Sequence, residues 1–407
     1  MKTFAPGTVV RVLQEDWAPF QNIYNTTPRF TEQTGIRVEV KLSSIPELWD
    51  LMNRSFVEDP PPFDLVGMDE IMLMQHVRLG RAEPLDDHIA ADGYPLDDFE
   101  PAALEAASYR GQLYGLPYAD VSNVLIYRAD LFTRYGIPVP QTMDALTEAA
   151  LAVQEAVRAD GTEDFYGITL RGAPSCGLNF WHIGSTWIPA WGAQWYDAEG
   201  RPTIDRPEHI AALAHYVDLL HRAGPPETPT MGFVECMEAY ASGRAAMVIE
   251  PANEASIVYN RGGAVAEGTL TTLVPAGPRG TRHAGLYCPP YAIPARSKVK
   301  EAAWALATFL CAPEQLLDDA VKSGFVEVAR KSVLNDPQFA AHFPANLVET
   351  TRATRAIARP ERPTPRQGML VGDIIGEEAT RALAGAQTAR EALQRAQERI
   401  AALGSPD

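Results

Sequence analysis

The sequence predicts an α/β protein with two domains, and three observations lead to this prediction. The chain has 407 residues, more than one hydrophobic core usually supports. Its first half alternates short apolar strands with helical patterns, which is typical of a parallel sheet covered by helices. No apolar run approaches the roughly 18 residues that a membrane span requires. We therefore expect two water-soluble α/β lobes.

The charge balance narrows the classes of partner. The chain carries 35 Lys and Arg residues against 52 Asp and Glu residues, a formal net charge of −17. Such an excess of negative charge argues against a nucleic-acid partner and against adsorption to anionic lipid. It fits a freely diffusing protein.

Strands and helices of the first half follow from apolar periodicity. The predicted order is a strand at residues 8–13, a helix at 19–34, a strand at 37–41, a helix at 46–57 and a strand at 63–68. Next, Arg110-Gly111-Gln112 separates two short strands and predicts a tight hairpin. A strand at residues 124–127 and a helix at 129–135 follow, and Gly136 ends that helix.

Helices of the second half are marked by their capping residues. Thr142 caps a helix at residues 143–160, and Asp205 is expected to cap a helix that begins at Pro207. Two short strands are predicted at 194–196 and 202–204, and two helices at 300–311 and 313–322. Residues 350–367 are rich in Arg and Pro, and we favour a solvated connector over a basic recognition arm. Thr388 begins a last helix with a capping box.

Five segments of the chain resemble, in their order and spacing, the bacterial extracellular solute-binding proteins of carbohydrate-uptake ABC transporters. They are RFTEQTGIRVEV, YRGQLYGLPYADVSNVLIYRADLFTRYGIPVPQ, GAQWYDAEGRPTID, YASGRAAMVIEP and SKVKEAAWALATFL. The resemblance implies a two-lobe, periplasmic-binding-protein-like (type II) fold with a hinged inter-lobe cleft. We expect residues 3–116 and 264–324 in lobe 1 and residues 117–263 and 325–407 in lobe 2, with crossings near Pro117, Gly263 and Gly324.

Three predicted strands run directly into acidic and polar residues. In open α/β sheets the ligand site lies beyond the carboxyl ends of the strands, and carboxylates accept strong hydrogen bonds from vicinal hydroxyls. The candidate ligand residues at these ends are Glu15, Asp16, Trp17, Asp69, Glu70, Glu250 and Asn253, with Ser43 after the second strand. The alternative is that Asp16, Asp69 and Asn253 only cap helices. Three such ends together favour a site, and the resemblance implies a ligand contact at Asp69.

Aromatic side chains are the second half of the predicted sugar site, because the C–H face of a sugar packs on an aromatic ring. Trp181 or Trp191 is the expected platform, with Tyr118 and Trp17 from the other lobe. The alternative for each Trp is burial in the core. Asp120, Tyr287 and Arg330 complete the set of candidate residues, although Arg330 is more readily explained as an inter-lobe ion-pair partner. Gly285 is expected to let the backbone approach the ligand.

Catalytic and metal-binding motifs are absent from the sequence. It contains no Walker loop, dinucleotide fingerprint, GxSxG or HExxH motif, so we predict no enzyme activity, no cofactor and no metal site. His209, His215 and His221 are six residues apart, which is not a zinc spacing. The pairing of Cys176, Cys236, Cys288 and Cys311 stays open among three connectivities.

The resemblance implies capture of a small carbohydrate and its delivery to the permease subunits of an ABC importer. Two other functions remain open: a cationic ligand such as a polyamine, favoured by the acidic strand ends, and a carbohydrate-active enzyme such as a glycosidase. A ferric-iron receptor is disfavoured, since the sequence has no Tyr-Tyr pair. We expect a monomer in the periplasm or tethered to the cell surface, whose natural export signal precedes the present Met1 and has been removed.

Overall fold

The structure is a computed structural model that describes residues 4–17, 20–174, 178–359 and 368–403. Contacts divide the chain into two compact units. Unit 1 comprises Met1–Val121 and Tyr287–Ala345, and unit 2 comprises Ser122–Leu286 and Asn346–Asp407. The chain therefore passes from one unit to the other three times.

The strands, in chain order, are β1 (Val9–Glu15), β2 (Arg37–Ser43), β3 (Leu65–Gly67), β4 (Ser108–Tyr109), β5 (Gln112–Leu113), β6 (Gly115–Pro117), β7 (Val121–Arg128), β8 (Met247–Pro251), β9 (Thr269–Leu273), β10 (Ala284–Tyr287), β11 (Pro290–Ala292) and β12 (Ala358–Arg359). The helices of the first half are α1 (Ile23–Thr34), α2 (Ile45–Val57), α3 (Glu70–Arg78), α4 (Asp86–Asp92), α5 (Pro101–Ala106), α6 (Ala129–Tyr135), α7 (Met143–Ala159), α8 (Phe180–His182) and α9 (Ile188–Ala190). Those of the second half are α10 (Pro207–Ala223), α11 (Phe233–Ala241), α12 (Ala252–Arg261), α13 (Gly263–Gly268), α14 (Lys300–Leu310), α15 (Pro313–Ser323), α16 (Lys331–Leu334), α17 (Pro337–His342), α18 (Ala345–Arg355), α19 (Gly368–Leu383) and α20 (Ala389–Ala401).

Unit 1 is built on a five-stranded sheet with the strand order β2-β1-β3-β11-β6. The first three strands are parallel, with Leu13 of β1 opposite Val66 of β3, and β11 pairs antiparallel with β3 and β6. Because β1 and β3 are parallel neighbours, the residues that follow them leave the sheet at the same edge. This register places Glu15 near Asp69.

Unit 2 is built on a second sheet with the strand order β12-β10-β7-β8, and β9 also pairs with β7. All eight residues of β7 are buried, which explains why this strand is an apolar run and not an alternating one. The strand is antiparallel to β8, with Asn123 opposite Pro251. The start of β7 and the end of β8 therefore lie at one edge of this sheet.

The predicted α/β class and most predicted elements are confirmed. The hairpin turn has positive φ at both Arg110 (51°) and Gly111 (82°), as a two-residue turn of the primed type requires. Thr142 caps α7 by accepting a hydrogen bond from the Ala145 N–H, and Thr388 forms the predicted capping box with Glu391.

Two local predictions are wrong. The residue before α10 is Arg206, in extended conformation and without a side-chain cap, so Asp205 is not the capping residue. The predicted strands at 194–196 and 202–204 reduce to a single bridge between Tyr196 and Pro202. Asp197 occupies the turn between them, where its side chain accepts the N–H groups of Glu199 and Arg201.

The passages between the units lie at Val121–Ser122, Leu286–Tyr287 and Ala345–Asn346. The last two fall later in the chain than the predicted crossings. The chain continues in unit 2 past Gly263 because β9 pairs with β7. It continues in unit 1 past Gly324 because α16 and α17 pack on α15.

In the described part of the chain, none of the helices combines the length and the apolarity needed to span a bilayer. Cys236, Cys288 and Cys311 are buried free thiols, whereas Cys176 lies outside the described residues. The solvated connector predicted at residues 350–367 does not begin at 350: residues 350–355 form the end of α18, with Thr350, Thr351 and Thr354 buried, and residues 360–367 lie outside the described residues.

Candidate functional site

Unit 1 brings together carboxyl and phenol groups that come from four separate places in the sequence. We call this set the unit 1 cluster: Glu15, Asp69, Glu70, Tyr118 and Tyr287. Glu15 ends β1, whereas Asp69 and Glu70 follow the neighbouring β3. Glu15 and Tyr287 are half-buried, and the other three members are buried. All five are predicted site residues.

Asp69 occupies the N-cap position of α3. Its Oδ1 accepts the Ile71 N–H at 2.8 Å, so the helix-capping alternative is correct for this residue. Capping and ligand binding are compatible, because a carboxylate has two oxygens and several acceptor positions. The N-terminus of α3 also favours negative charge at this point.

Glu15 is placed where its ionised form is disfavoured. Burial raises the pKa of the Glu15 carboxyl to about 7, and the negative charge of Asp69 contributes to this rise. Within the described part of the chain, the carboxyl of Glu15 makes no hydrogen bond. Two neighbouring carboxyl groups thus differ in environment, since only Asp69 is bonded to a helix N-terminus.

Tyr118 lies against Gly67, the last residue of β3. A Cβ at Gly67 would lie 3.2 Å from the Tyr118 hydroxyl and 3.3 Å from the Tyr291 ring, so the glycine makes room for both aromatic side chains. Tyr291 donates its hydroxyl to Gln14 Oε1 at 2.9 Å. Burial raises the pKa of Tyr118 and of Tyr287 well above the ordinary value, so both hydroxyls keep their protons.

A set of aromatic side chains packs next to Tyr118. Phe20 packs edge-on against Trp17, Tyr118 and Phe325, with ring centroids 5.1 to 5.6 Å apart. The predicted platform residue Trp17 is half-buried and packs edge-on against Phe20 and Phe325. Aromatic and carboxyl groups meet in this unit, as the prediction of a sugar site requires.

Three other predicted residues of unit 1 have partners that the sequence did not indicate. Asp16 is exposed and accepts the Gln21 side-chain amide at 2.9 Å. Ser43 is buried and donates its hydroxyl to Glu47. Asp120 is buried, and its backbone N–H donates to the backbone carbonyl of Glu327. We leave Asp16 and Ser43 out of the proposed site.

Arg330 is held entirely inside unit 1. Its Nε donates to the Cys311 carbonyl at 2.6 Å, its Nη1 lies 3.2 Å from Asp98, and its guanidinium lies 4.0 Å from the centre of the Phe99 ring. The side chain is 3% exposed. The ion pair joins two residues of the same unit and is not an inter-lobe pair. These contacts account for the cation without a ligand, so we also leave Arg330 out of the proposed site.

In unit 2, one set of buried polar contacts is built around Trp181. Its indole N–H donates to Asn123 Oδ1 at 2.6 Å, and the Asn123 amide donates to Thr186 at 3.1 Å. Residues Ile183–Trp187 between α8 and α9 form a π-helical turn, a feature that is frequent at functional sites. Trp181 is 6% exposed, so the described structure leaves only a small part of the predicted platform accessible.

Trp191, the other predicted platform, is half-buried and packs on His215 at 5.0 Å between ring centroids. Trp187 is fully buried, as the core alternative expects. Gly285 was predicted to make room for a ligand, but it makes room for Ser185: a Cβ there would lie 2.1 Å from the Ser185 hydroxyl. The glycine thus serves the packing of β10 on the π-helical turn.

Glu250 forms a bidentate ion pair with Arg171. The Glu250 side chain is fully buried, and burial raises its pKa while the Arg171 guanidinium opposes the rise. The backbone N–H of Arg171 donates to His182 Nδ1. The proton of the neutral imidazole is therefore on Nε2, which lies 3.6 Å from Glu250. We leave Glu250 out of the proposed site because its carboxylate is already neutralised.

Asn253 is buried in the first turn of α12, but Pro251 and not Asn253 occupies the N-cap position. The helix-capping alternative is therefore wrong for Asn253, which remains a candidate ligand residue of unit 2. Three residues of interest were not among the predicted set: Gln14, Asn123 and Arg171. Gln14 and Asn123 lie in polar stretches at strand ends, which was a usable signal, whereas no local pattern marks Arg171 as the partner of Glu250.

Carboxyl and phenol groups gathered at one sheet edge are typical of a site that binds a small polar solute. The family model for bacterial extracellular solute-binding proteins matches residues 27–345, and the chain belongs to this family. The prediction of a solute-binding protein is confirmed.

Two relatives are named after acyclic sugar alcohols. The chain is 31% identical over 360 residues to the mannitol-binding protein of Pseudomonas aeruginosa, which covers 83% of this chain and 80% of that protein. It is 25% identical over 354 residues to the erythritol/L-threitol-binding protein of Mycolicibacterium smegmatis, with 81% and 72% covered.

Two similar crystal structures are ABC-transporter solute-binding proteins. The one from Agrobacterium radiobacter K84, in complex with ribitol, has a TM-score of 0.87 at 25% identity and covers 98% of this chain and 99% of that chain. The one from Agrobacterium vitis S4, with bound D-mannitol, has a TM-score of 0.84 at 26% identity and covers 98% and 100%. These likenesses confirm the predicted periplasmic-binding-protein-like fold class.

Proposed function

We propose that this chain is the substrate-binding protein of an ABC importer and that its ligand is an acyclic sugar alcohol such as mannitol or ribitol. The observation that carries the proposal is the 31% identity to a mannitol-binding protein across most of both chains. It is supported by the unit 1 cluster, where carboxyl and phenol groups offer several acceptors and donors to a chain of hydroxyls. The ligand is captured and handed to a membrane permease without chemical change.

The unit 1 cluster and the aromatic group beside it suit a polyol. Asp69 and Glu70 accept hydrogen bonds from hydroxyls, whereas Tyr118 and Tyr287 also donate. Trp17 offers an apolar face to the C–H groups of the carbon chain. In unit 2, Asn253 and Trp181 are the corresponding candidates.

The polyamine alternative depends on many ionised carboxylates. Two of the acidic residues that favoured a polyamine ligand contribute less negative charge than the sequence suggested. Arg171 neutralises Glu250, and the environment of Glu15 disfavours its charge. The remaining negative charge still permits a cation, so a binding experiment must include one.

Isothermal titration calorimetry with purified protein tests the proposal. We expect binding of D-mannitol or ribitol and no heat signal with maltose or spermidine. Binding of spermidine without binding of a polyol would show that the ligand is a cation and not a polyol. Release of a shorter sugar when the protein is incubated with a panel of oligosaccharides would show that the protein is an enzyme. The periplasmic or cell-surface location and the monomeric state belong to the same proposal, and fractionation and light scattering test them.

A further inference from the structure

Resting on the proposed function, we propose that Glu15 determines the specificity of the unit 1 cluster by binding as a neutral carboxylic acid that donates a hydrogen bond to a ligand hydroxyl. Asp69 beside it, capped by the Ile71 N–H, accepts a hydrogen bond from a neighbouring hydroxyl. The two carboxyl groups thus form a donor and acceptor pair. A vicinal diol matches such a pair, since each hydroxyl both donates and accepts.

The sheet register brings the two carboxyl groups together. Leu13 of β1 lies opposite Val66 of β3, and two residues later Glu15 ends β1 while Asp69 follows β3. Side chains at adjacent parallel strand ends share one small region of the edge. Two anions in that region repel each other, so a single proton held by one of them stabilises the pair.

The local contacts decide which carboxyl keeps the proton. Asp69 Oδ1 accepts the Ile71 N–H at the N-terminus of α3, a nine-residue helix whose dipole favours an anion. Glu15 lies at a strand end, and within the described residues its carboxyl accepts no hydrogen bond. Asp69 is therefore the better stabilised anion, and Glu15 is the proton carrier.

The groups facing Glu15 from the other elements agree with this assignment. Asp69 and Glu70 at the start of α3 and the un-ionised Tyr118 and Tyr287 contribute no positive charge. On the β2 side, Ser43 lies opposite Glu15, and its hydroxyl is bonded to Glu47. The cation on that side, Lys41, lies 3.3 Å from Glu47 and is neutralised by it.

A binding titration between pH 5.5 and 9 tests the proposal, with D-mannitol and ribitol as probes. Since burial and Asp69 raise the pKa of Glu15 to about 7, the binding form is present below pH 7 and is lost as the pH rises. We expect a constant Kd up to about pH 6.5 and then a rise that approaches tenfold per pH unit.

Two variants isolate Glu15. Glu15→Gln keeps an amide that donates and accepts like the neutral acid, so we expect a Kd within about threefold of the wild type at pH 6 and no pH dependence up to pH 9. Glu39→Gln makes the same change on β2, where Glu39 is half exposed and paired with Arg37. This control should retain the pH dependence of the wild type.

The unmodified protein provides an independent readout. At pH 8, polyol binding should take up about one proton, measured as the dependence of the binding enthalpy on the ionisation enthalpy of the buffer. Proton uptake of zero, a Kd that is constant with pH, or a slope that persists in Glu15→Gln would overturn the role of Glu15 while the polyol function stands. Failure to bind any polyol at any pH would instead overturn the proposed function.

Discussion

Arg171 and Glu250 form a buried ion pair inside unit 2, with Arg171 Nε 2.8 Å from Glu250 Oε1. The two residues are 79 positions apart in the chain. The guanidinium lies 5.5 Å from the centre of the Phe233 ring, and only 11% of the Arg171 side chain is exposed. The pair joins Glu250, in β8, to Arg171, in the segment between α7 and α8, and it neutralises a charge that would otherwise be buried alone.

Replacing Arg171 by Met should destabilise the protein strongly. The substitution leaves the Glu250 carboxylate buried without its cation, which costs about 3–5 kcal/mol in comparable cases. Urea unfolding followed by Trp fluorescence measures the loss of stability. The double variant Arg171→Met/Glu250→Leu should recover much of the loss, because neither charge remains buried.

The matched control is Arg222→Met, which removes the exposed partner of Asp218 on α10. A surface pair contributes little, so the unfolding midpoint should stay close to that of the wild type. If Arg171→Met were as mild as this control, the ion pair would not be a structural element of unit 2.

The polar group at Trp181 gives a second stability prediction. Asn123→Ala removes the acceptor of the Trp181 indole N–H and the donor to Thr186, both inside the unit. An unsatisfied buried donor costs about 1–3 kcal/mol, so unfolding should occur at lower urea concentration and Trp fluorescence should change in the native state. Asn25→Ala, at an exposed position of α1, serves as control and should change neither.

Local chemistry made much of the fold predictable. Thr142 and Thr388 cap helices as predicted, and Arg110-Gly111 forms the predicted turn, because each of these features depends on neighbouring residues only. Asp69 was correctly placed after β3 because strand and helix alternate there. Such signals need no knowledge of tertiary contacts.

The parts that could not be predicted depend on distant contacts. Arg171 has no sequence feature that connects it to Glu250, and Arg330 meets Asp98 only after the chain has returned to unit 1. Gly285 illustrates the same limit: a glycine that makes room for a neighbour looks identical in sequence whether the neighbour is a ligand or Ser185. The strand ends therefore indicated that a site exists, whereas the residues that belong to it could be chosen only from the packing.

The buried His209 predicts an acid sensitivity of the fold. It is 1% exposed beside Trp195, and burial lowers its pKa to about 4. Between about pH 6.5 and pH 4 the unfolded chain binds a proton at this residue and the folded chain does not, so stability from His209 falls as the pH falls. The contribution is at most about 1.4 kcal/mol per pH unit.

His209→Leu should remove this part of the pH dependence. We expect the variant to lose less stability than the wild type between pH 7 and pH 5, measured by urea unfolding at both pH values. His342→Leu, at an exposed position, is the control and should follow the wild type. Equal slopes in His209→Leu and the wild type would show that His209 is not the group responsible.

The last prediction separates two acids at strand ends that the sequence could not distinguish, Asp69 and Asp16. Asp69 is 8% exposed and belongs to the unit 1 cluster, whereas Asp16 is exposed and bonded to Gln21. Asp69→Asn keeps a capping oxygen for the Ile71 N–H but removes the charge that strengthens hydrogen bonds from ligand hydroxyls. We expect the affinity for D-mannitol or ribitol to fall at least about tenfold, since a hydrogen bond to a charged group contributes roughly 1.5–3 kcal/mol. Asp16→Asn should bind within about twofold of the wild type, and equal losses in both variants would place the ligand nearer to Asp16 than the proposed site allows.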